Sequence, residues 1–297
     1  MPPSPRPEGL FSTHLLAQLE RLTFVSRRTW PGRVKGERRS PRKGVSVEFC
    51  DYRPYEIGDD LRYVDWNAFA RLNRLYLKLF VDEEDLCIHL LLDASASMAF
   101  GEPSKFRYGQ RLAAALAFIG LVNLERVGAG LFREQVAAGW SPSRGRNQFL
   151  PFVGSLLGVE PGGRTSFNGA LRQYARKARD PGLAVVISDL LAPDGFEEGL
   201  RALMERGFDL HIVHLLSEEE LDPPYAGDLE LVDAETEESR DVTLDAEALA
   251  GYRRRLAAFL ERVEGFCRTN ELSYHRASTG VPLEDLLLRR LKGSLVQ

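Results

Sequence analysis

The chain has 297 residues, enough for one large domain or a large domain with a smaller companion, and enough to bury about three quarters of its unfolded surface. Hydrophobic residues make up 44% and charged residues 28%, which excludes a disordered or fibrous chain. The net charge of -4 is unevenly divided: residues 1–50 hold ten Lys or Arg against four Asp or Glu, leaving about -10 for the rest.

The longest apolar run, residues 112–122, is well short of the roughly 20 residues that a membrane-spanning helix needs. The proline-rich start lacks the apolar core of a secretory signal. Cys50, Cys87 and Cys267 form no C-x-x-C pair, so neither a disulfide framework nor a zinc ribbon is expected, and a cytoplasmic location is.

In chain order, residues 1–33 read as a tail followed by a short amphipathic helix. In that helix Leu15, Leu16, Leu19 and Leu22 recur at helical spacing, and Ser12 is available as N-cap. Arg27, Arg28, Arg33, Lys35, Arg38, Arg39, Arg42 and Lys43 form a basic stripe that could meet phosphates or an acidic partner. No aromatic residue interleaves with these charges after Trp30, so a solvated loop is the simpler reading and nucleic acid the lesser one. Residues 34–84 read as a small, mostly β lobe, with turn signals at Arg53-Pro54 and Gly58-Asp59-Asp60 and an alternating strand at 75–81.

The period then changes. Residues 86–92 are an almost continuous apolar run ending at Asp93, the pattern of a strand buried on both faces. Helices are predicted at 105–122, 147–157, 166–177 and 196–206, and strands at 127–132, 134–140, 183–188 and 209–216. This alternation over 85–217 predicts an α/β fold with a doubly wound, mainly parallel sheet. Residues 218–297 read as an acidic link, a hairpin at 229–232 and 241–244, a helix at 247–270 and a short strand at 272–275, partly completing the small lobe.

In such a sheet the loops at the carboxyl ends of the strands form the ligand crevice. Three of these loops carry chemistry. Asp93, Ser95 and Ser97 alternate in one, Gly162-Gly163-Arg164-Thr165-Ser166 forms a second, and Asp189 ends a third. Two carboxylates and three hydroxyls are too few and too weakly charged for a closed metal cage. An ion held by them keeps waters or an open position, which suits Mg²⁺ or Mn²⁺. The alternative is that Asp93, Ser95 and Ser97 only cap the following helix, although Ser104 is placed to do that.

These residues resemble the metal-ion-dependent adhesion site of von Willebrand factor A domains: Asp-x-Ser-x-Ser, a distant Thr, then an Asp. The five positions here are Asp93, Ser95, Ser97, Thr165 and Asp189. The preceding segment sharpens the likeness. Val47-Glu48-Phe49, Asp51-Tyr52-Arg53-Pro54-Tyr55, Gly58-Asp59-Asp60-Leu61-Arg62, Asp65-Trp66-Asn67 and Ala70-Arg71 are similar to the signature of domain-of-unknown-function family fifty-eight. This is a von Willebrand factor A-like bacterial group often encoded beside MoxR-type AAA+ ATPases. The resemblance implies a von Willebrand factor A-like fold and a bound divalent cation. It also implies a protein partner that supplies an Asp or Glu to the metal, a MoxR-type ATPase or its client, and no enzymatic activity.

Within the signature, Glu48, Asp51, Asp59, Asp60 and Asp65 read more simply as partners of Arg53, Arg62 and Arg71 than as a second metal or hydrolase cluster, with Trp66 and Tyr55 as lobe core. A metal-dependent phosphoester hydrolase using Asp59, Asp60 or Asp65 is the competing enzymatic reading. His211 and His214 fall on opposite faces of a strand, and His89 is expected to be a satisfied core residue. Neither a P-loop, H-E-x-x-H nor G-x-S-x-G occurs in the chain.

Overall fold

The computed structural model describes residues 10–26, 48–81 and 86–297; the proline-rich start and the basic stripe at 27–43 lie outside them. The described residues divide into two compact units, one at 48–81 and one combining 10–26 with 86–297.

The smaller unit holds β1 (Glu48–Pro54) and β2 (Tyr76–Val81), paired antiparallel. Its α-helix is α2 (Trp66–Leu72), which follows a 3₁₀ turn at Leu61–Tyr63; α1 (Thr13–Leu19) belongs to the larger unit. Asp65 caps α2, its Oδ1 accepting from the amides of Asn67 and Ala68 at 2.8 and 3.1 Å. Asn73, in the left-handed region at φ 49°, ends it. Two strands and one short helix can bury little, and Trp66, expected in the core, is 58% exposed. Val64 and Leu77 are buried instead.

The larger unit is built on a six-stranded sheet. Its strands are β3 (Cys87–Asp93), β4 (Arg126–Phe132), β5 (Val136–Arg144), β6 (Leu183–Ser188), β7 (Asp209–Leu216) and, after the separate hairpin of β8 (Gly227–Val232) and β9 (Ser239–Leu244), β10 (Ser273–Ser278). The order is β10-β7-β6-β3-β4-β5, parallel except for β5 against β4. This is the expected α/β architecture of a doubly wound, mainly parallel sheet, and the smaller unit is the expected separate lobe with its own antiparallel strand pair. The C-terminal residues differ from expectation. β10 extends the main sheet along β7, and among the described residues none of 218–297 pairs with β1 or β2.

The helices are α3 (Lys105–Val122), α4 (Phe149–Leu157), α5 (Phe167–Lys177), α6 (Glu197–Arg206), α7 (Glu218–Leu221), α8 (Ala246–Thr269) and α9 (Leu283–Asp285), the last running into a π-helical turn. Strand parity assigns them to faces. Ile88, Leu90 and Leu92 of β3 join a core with α1, α3, α4 and the C-terminal leucines, whereas Leu91 joins Ala184, Val186 and Ile212 beneath α5, α6 and α8. Covering both faces explains why β3, β6 and β7 are buried along their whole length and are mostly apolar on both faces, with His89, His211 and His214 as buried polar exceptions. Each fully buried Leu, Ile or Phe contributes roughly 1.5–3 kcal/mol.

Two consequences are testable. A Cβ at Gly182, just before β6, would lie 1.9 Å from the carbonyl oxygen of Cys87. That obstacle is backbone in a paired strand, so Gly182→Ala should lower stability by about 1–3 kcal/mol, seen as a reduced urea midpoint at unchanged slope.

The second concerns His89. Its Nε2 lies 2.9 Å from the Asp180 carbonyl and its Nδ1 2.7 Å from the Tyr174 hydroxyl. A carbonyl can only accept, so Nε2–H donates to it and Nδ1 accepts from Tyr174. Burial holds the imidazole neutral, with a pKa lowered to about 4. Between that value and the ordinary 6.5 the unfolded chain binds a proton that the folded chain refuses. This share of stability, on the order of 3 kcal/mol, is complete above pH 6.5 and lost as pH falls through 4. His89→Gln should flatten the pH dependence of unfolding free energy in that window; an unchanged slope would count against the assignment.

Candidate metal centre

β3 and β6 are parallel neighbours in register, Leu92 opposite Ile187, so Asp93 and Ser188-Asp189 emerge side by side. The Ser188 hydroxyl donates to Asp93 Oδ2 at 2.7 Å, and the Ser95 amide donates to Asp93 Oδ1 at 3.0 Å. The glycine loop is tied to the first loop by the Gly162 amide on the Ala94 carbonyl, 2.9 Å, and the Ala96 amide on the Gly163 carbonyl, 3.1 Å. Gly163 has φ +77°, a conformation that favours glycine, and this lets the loop turn back on Ala96. Arg133 Nε adds a bond to the Ala94 carbonyl at 3.1 Å. The three loops carrying Asp93, Ser95, Ser97, Thr165 and Asp189 therefore meet at one end of the sheet.

Depth is graded across the group. Asp93, Ser95 and Asp189 are buried, while Ser97 and Thr165 are half-buried and form its open side. The Ser95 and Ser97 hydroxyl oxygens are 3.0 Å apart. This is a hydrogen-bond length; adjacent ligands of an octahedral ion with bonds of about 2.1 Å are also about 3.0 Å apart, so the pair would not have to move to take Mg²⁺ or Mn²⁺. Both Asp93 oxygens and both Asp189 oxygens already accept hydrogen bonds. Each keeps a further lone pair, which suits contact with an ion through water. Among the described residues no three His, Cys, Asp or Glu side chains are grouped to hold a metal, so an ion here depends on hydroxyl oxygens.

Asp93 is held above the usual carboxylate range by burial first and by the charge of Asp189 second. The turn after it is tightly braced. Leu190 takes the left-handed region at φ 58° while Ser188 Oγ accepts from its amide and Asp189 Oδ1 accepts from Leu191. Ser104 caps α3 by accepting from the Arg107 amide at 3.3 Å, and no side-chain cap comes from Ser95. The capping duty is thus met without the motif serines.

Sequence reasoning missed two residues. Lys105, the first residue of α3, is fully buried; its Nζ lies 2.6 Å from Asp189 Oδ2 and 2.5 Å from Glu220 Oε1 of α7. Burial pulls the ammonium pKa down, but Asp189 and Glu220 more than offset it and the net shift is upward. A signal existed: a lysine opening a helix with fifteen buried residues needs an acidic partner. The second is Glu235, in the turn between β8 and β9, whose carboxylate accepts from the Thr165 amide at 2.9 Å and from its hydroxyl at 2.8 Å. Nothing in the acidic stretch distinguishes Glu235 from its neighbours.

The signature carboxylates are engaged inside their own unit. Asp59 pairs with Arg53 at 2.6 Å and accepts from the Glu56 amide; Asp60 pairs with Arg62; Asp65 caps α2 and accepts from the Tyr52 hydroxyl at 2.7 Å. The side chains of Glu48 and Asp51 lie outside the described residues. His211 and His214 point to opposite faces, the first stacked against His275, the second bonded through Nδ1 to the Tyr274 hydroxyl at 2.9 Å.

Replacing Lys105 by Met keeps the volume but leaves Asp189 and Glu220 facing each other without a cation. Lys105→Met should therefore cost about 3–5 kcal/mol in denaturant unfolding, and a loss below about 1 kcal/mol would contradict a fully buried pair.

Comparison with known proteins places the chain without giving it an activity. It is 28% identical over 263 residues to the uncharacterized proteins Rv1480 of Mycobacterium tuberculosis and Mb1516 of Mycobacterium bovis, covering 86% of this chain and 82% of each relative. Among solved structures it is similar to the conserved hypothetical protein BatB from Bacteroides thetaiotaomicron, with a TM-score of 0.43 and 14% identity over 69% of this chain and 97% of that one. An aerotolerance-related membrane protein from Bacteroides fragilis gives a TM-score of 0.38 and 16% identity over 65% of this chain and 92% of that one. No helix among the described residues is long and apolar enough to cross a membrane. A family model matches residues 51–261, most of both units, and by that match the chain belongs to the family described as Protein of unknown function DUF58.

Proposed function

We propose that this chain is a divalent-cation-dependent protein-binding module of the cytoplasm rather than an enzyme. The observation that carries the reading is the convergence of two strand-end loops with the α4–α5 loop, with Asp93, Ser95 and Asp189 buried and Ser97 and Thr165 half-buried. Mg²⁺ or Mn²⁺ would be held by the Ser95, Ser97 and Thr165 hydroxyls, with Asp93 and Asp189 acting partly through water. When bound, the ion supplies an electrophilic point open to a carboxylate from another protein.

The chain's own residues do the rest. Ser188 and the Ser95 amide fix the Asp93 carboxylate, and Lys105 fixes Asp189, so the donor array is preorganised. Nucleophilic use of the serines lacks support, because Ser95 and Ser97 hydrogen bond to each other and His214 bonds to Tyr274. A hydrolase using Asp59, Asp60 or Asp65 is disfavoured by the arginine and cap partners of those carboxylates.

By family resemblance the partner is a MoxR-type AAA+ ATPase or a client it remodels, and the process is assembly or remodelling of a protein complex. Affinity capture from the source cell's lysate, with wild type and Asp93→Ala in Mg²⁺ and in EDTA, tests this. The expected result is an ATPase or its client retained by wild type in Mg²⁺ alone, while the circular dichroism of Asp93→Ala remains that of a folded protein. Equal capture in all four conditions would remove the cation from the binding mechanism.

A further inference from the structure

The hairpin of β8 and β9 is exposed on both faces, and a two-stranded hairpin with no apolar face to bury is marginal alone. Its tip is nevertheless well defined. The Asp233 amide bonds the Glu238 carbonyl at 2.9 Å, and Asp233 Oδ1 accepts from the amides of Glu235 and Thr236, each at 2.8 Å. From residue 231 to residue 240 every position is exposed but one. That one is Glu235, 70 residues from Thr165 in sequence, whose two carboxylate oxygens take the Thr165 amide and hydroxyl.

The separation between Glu235 Oε1 and Thr165 Oγ1 is 2.8 Å, close to the 3.0 Å between the hydroxyls of Ser95 and Ser97. Both are hydrogen-bond lengths, and because adjacent oxygens around a small hard cation are also about 3.0 Å apart, neither pair has to spread to share an ion. Glu235 bonds to Thr165, one of the two half-buried members of the group, whereas Asp93 and Asp189 are buried. A carboxylate in that place offers the negatively charged oxygen that a set of three hydroxyls and two engaged aspartates lacks.

We propose that Glu235 is a built-in ligand. The hairpin brings the chain's own carboxylate to the cation held at Thr165, and a partner's carboxylate reaches that cation only by displacing the β8–β9 tip. This rests on the cation reading of the preceding section and adds where the open position is filled and what must leave it.

The test is a Mn²⁺ titration of the full chain, with free Mn²⁺ read by electron paramagnetic resonance in a carboxylate-free buffer. Wild type, Glu235→Ala and Glu238→Ala are compared, the last removing an equal charge from an exposed position of the same turn. Glu235→Ala should weaken Mn²⁺ binding about tenfold or more, and added acetate should restore it. Wild type and Glu238→Ala should bind alike and be indifferent to the same acetate. Hydrogen exchange at 233–238 should quicken in Glu235→Ala alone. If Glu235→Ala binds Mn²⁺ as wild type does, or if Glu238→Ala loses as much, the built-in ligand is overturned while the cation reading stands. If no form binds Mn²⁺, the cation reading itself falls and takes this inference with it.

Discussion

Two carboxylates, Asp93 and Asp189, leave the ends of neighbouring parallel strands, both buried, and the rest of this end of the molecule is arranged around their charge. Burying an ionised group is tolerable only with partners. Asp189 has the ammonium of Lys105, which it shares with Glu220. Asp93 has only neutral donors, the Ser188 hydroxyl and the Ser95 amide, and its raised pKa records that its charge is incompletely answered.

That arrangement depends on the fold more than on local sequence. α3 is buried along most of its length because it lies against β3, β4 and β7 on one face of the sheet, which delivers its first residue to the strand ends. α7 is a single turn, closed by a capping box between Ser217 and Glu220, and the Tyr252 hydroxyl bonds the Glu220 carbonyl at 2.7 Å. Glu220 thus caps its own helix and pairs with Lys105 at once. A change in α3, in the loop after β7 or in α8 would therefore be felt at Asp189 without touching it.

Much of this was legible from residue order. The helix at 105–122 and the strands at 183–188 and 209–216 coincide with α3, β6 and β7, because apolar periodicity and length suffice for elements buried on known faces. Asp93, Ser95, Ser97 and Asp189 were legible because parallel strands direct their following loops to one edge; Thr165, expected in a strand-end loop, instead lies between α4 and α5 and is brought in by the bonds of Gly162 and Gly163 to Ala94 and Ala96. Other features were hidden for physical reasons. The destination of β10 was misjudged since a six-residue strand with polar and apolar residues fits either sheet, and only pairing with β7 decides. Trp66 was misassigned because an aromatic residue near paired charges reads as core, whereas the small unit has too little apolar surface to enclose it. The Lys105 and Glu235 contacts join residues 84 and 70 positions apart, and no spacing rule reaches that far.

A weakly charged oxygen set has a thermodynamic consequence on the proposed reading. With Asp189 neutralised by Lys105 and the remaining donors mostly hydroxyls, the chain alone would hold a cation loosely, and each added carboxylate would contribute a large share of the affinity. Cation and carboxylate then bind with positive coupling, each raising the affinity for the other by the same factor. The acidic stretch that looked like a solvated link places one such carboxylate, Glu235, at Thr165. A carboxylate from another protein therefore competes with a tethered one, and the hairpin's low intrinsic stability sets how readily that competitor withdraws. Loose cation binding, an internal ligand and an easily moved arm together describe a site that discriminates by how well an incoming partner outcompetes the chain's own tip.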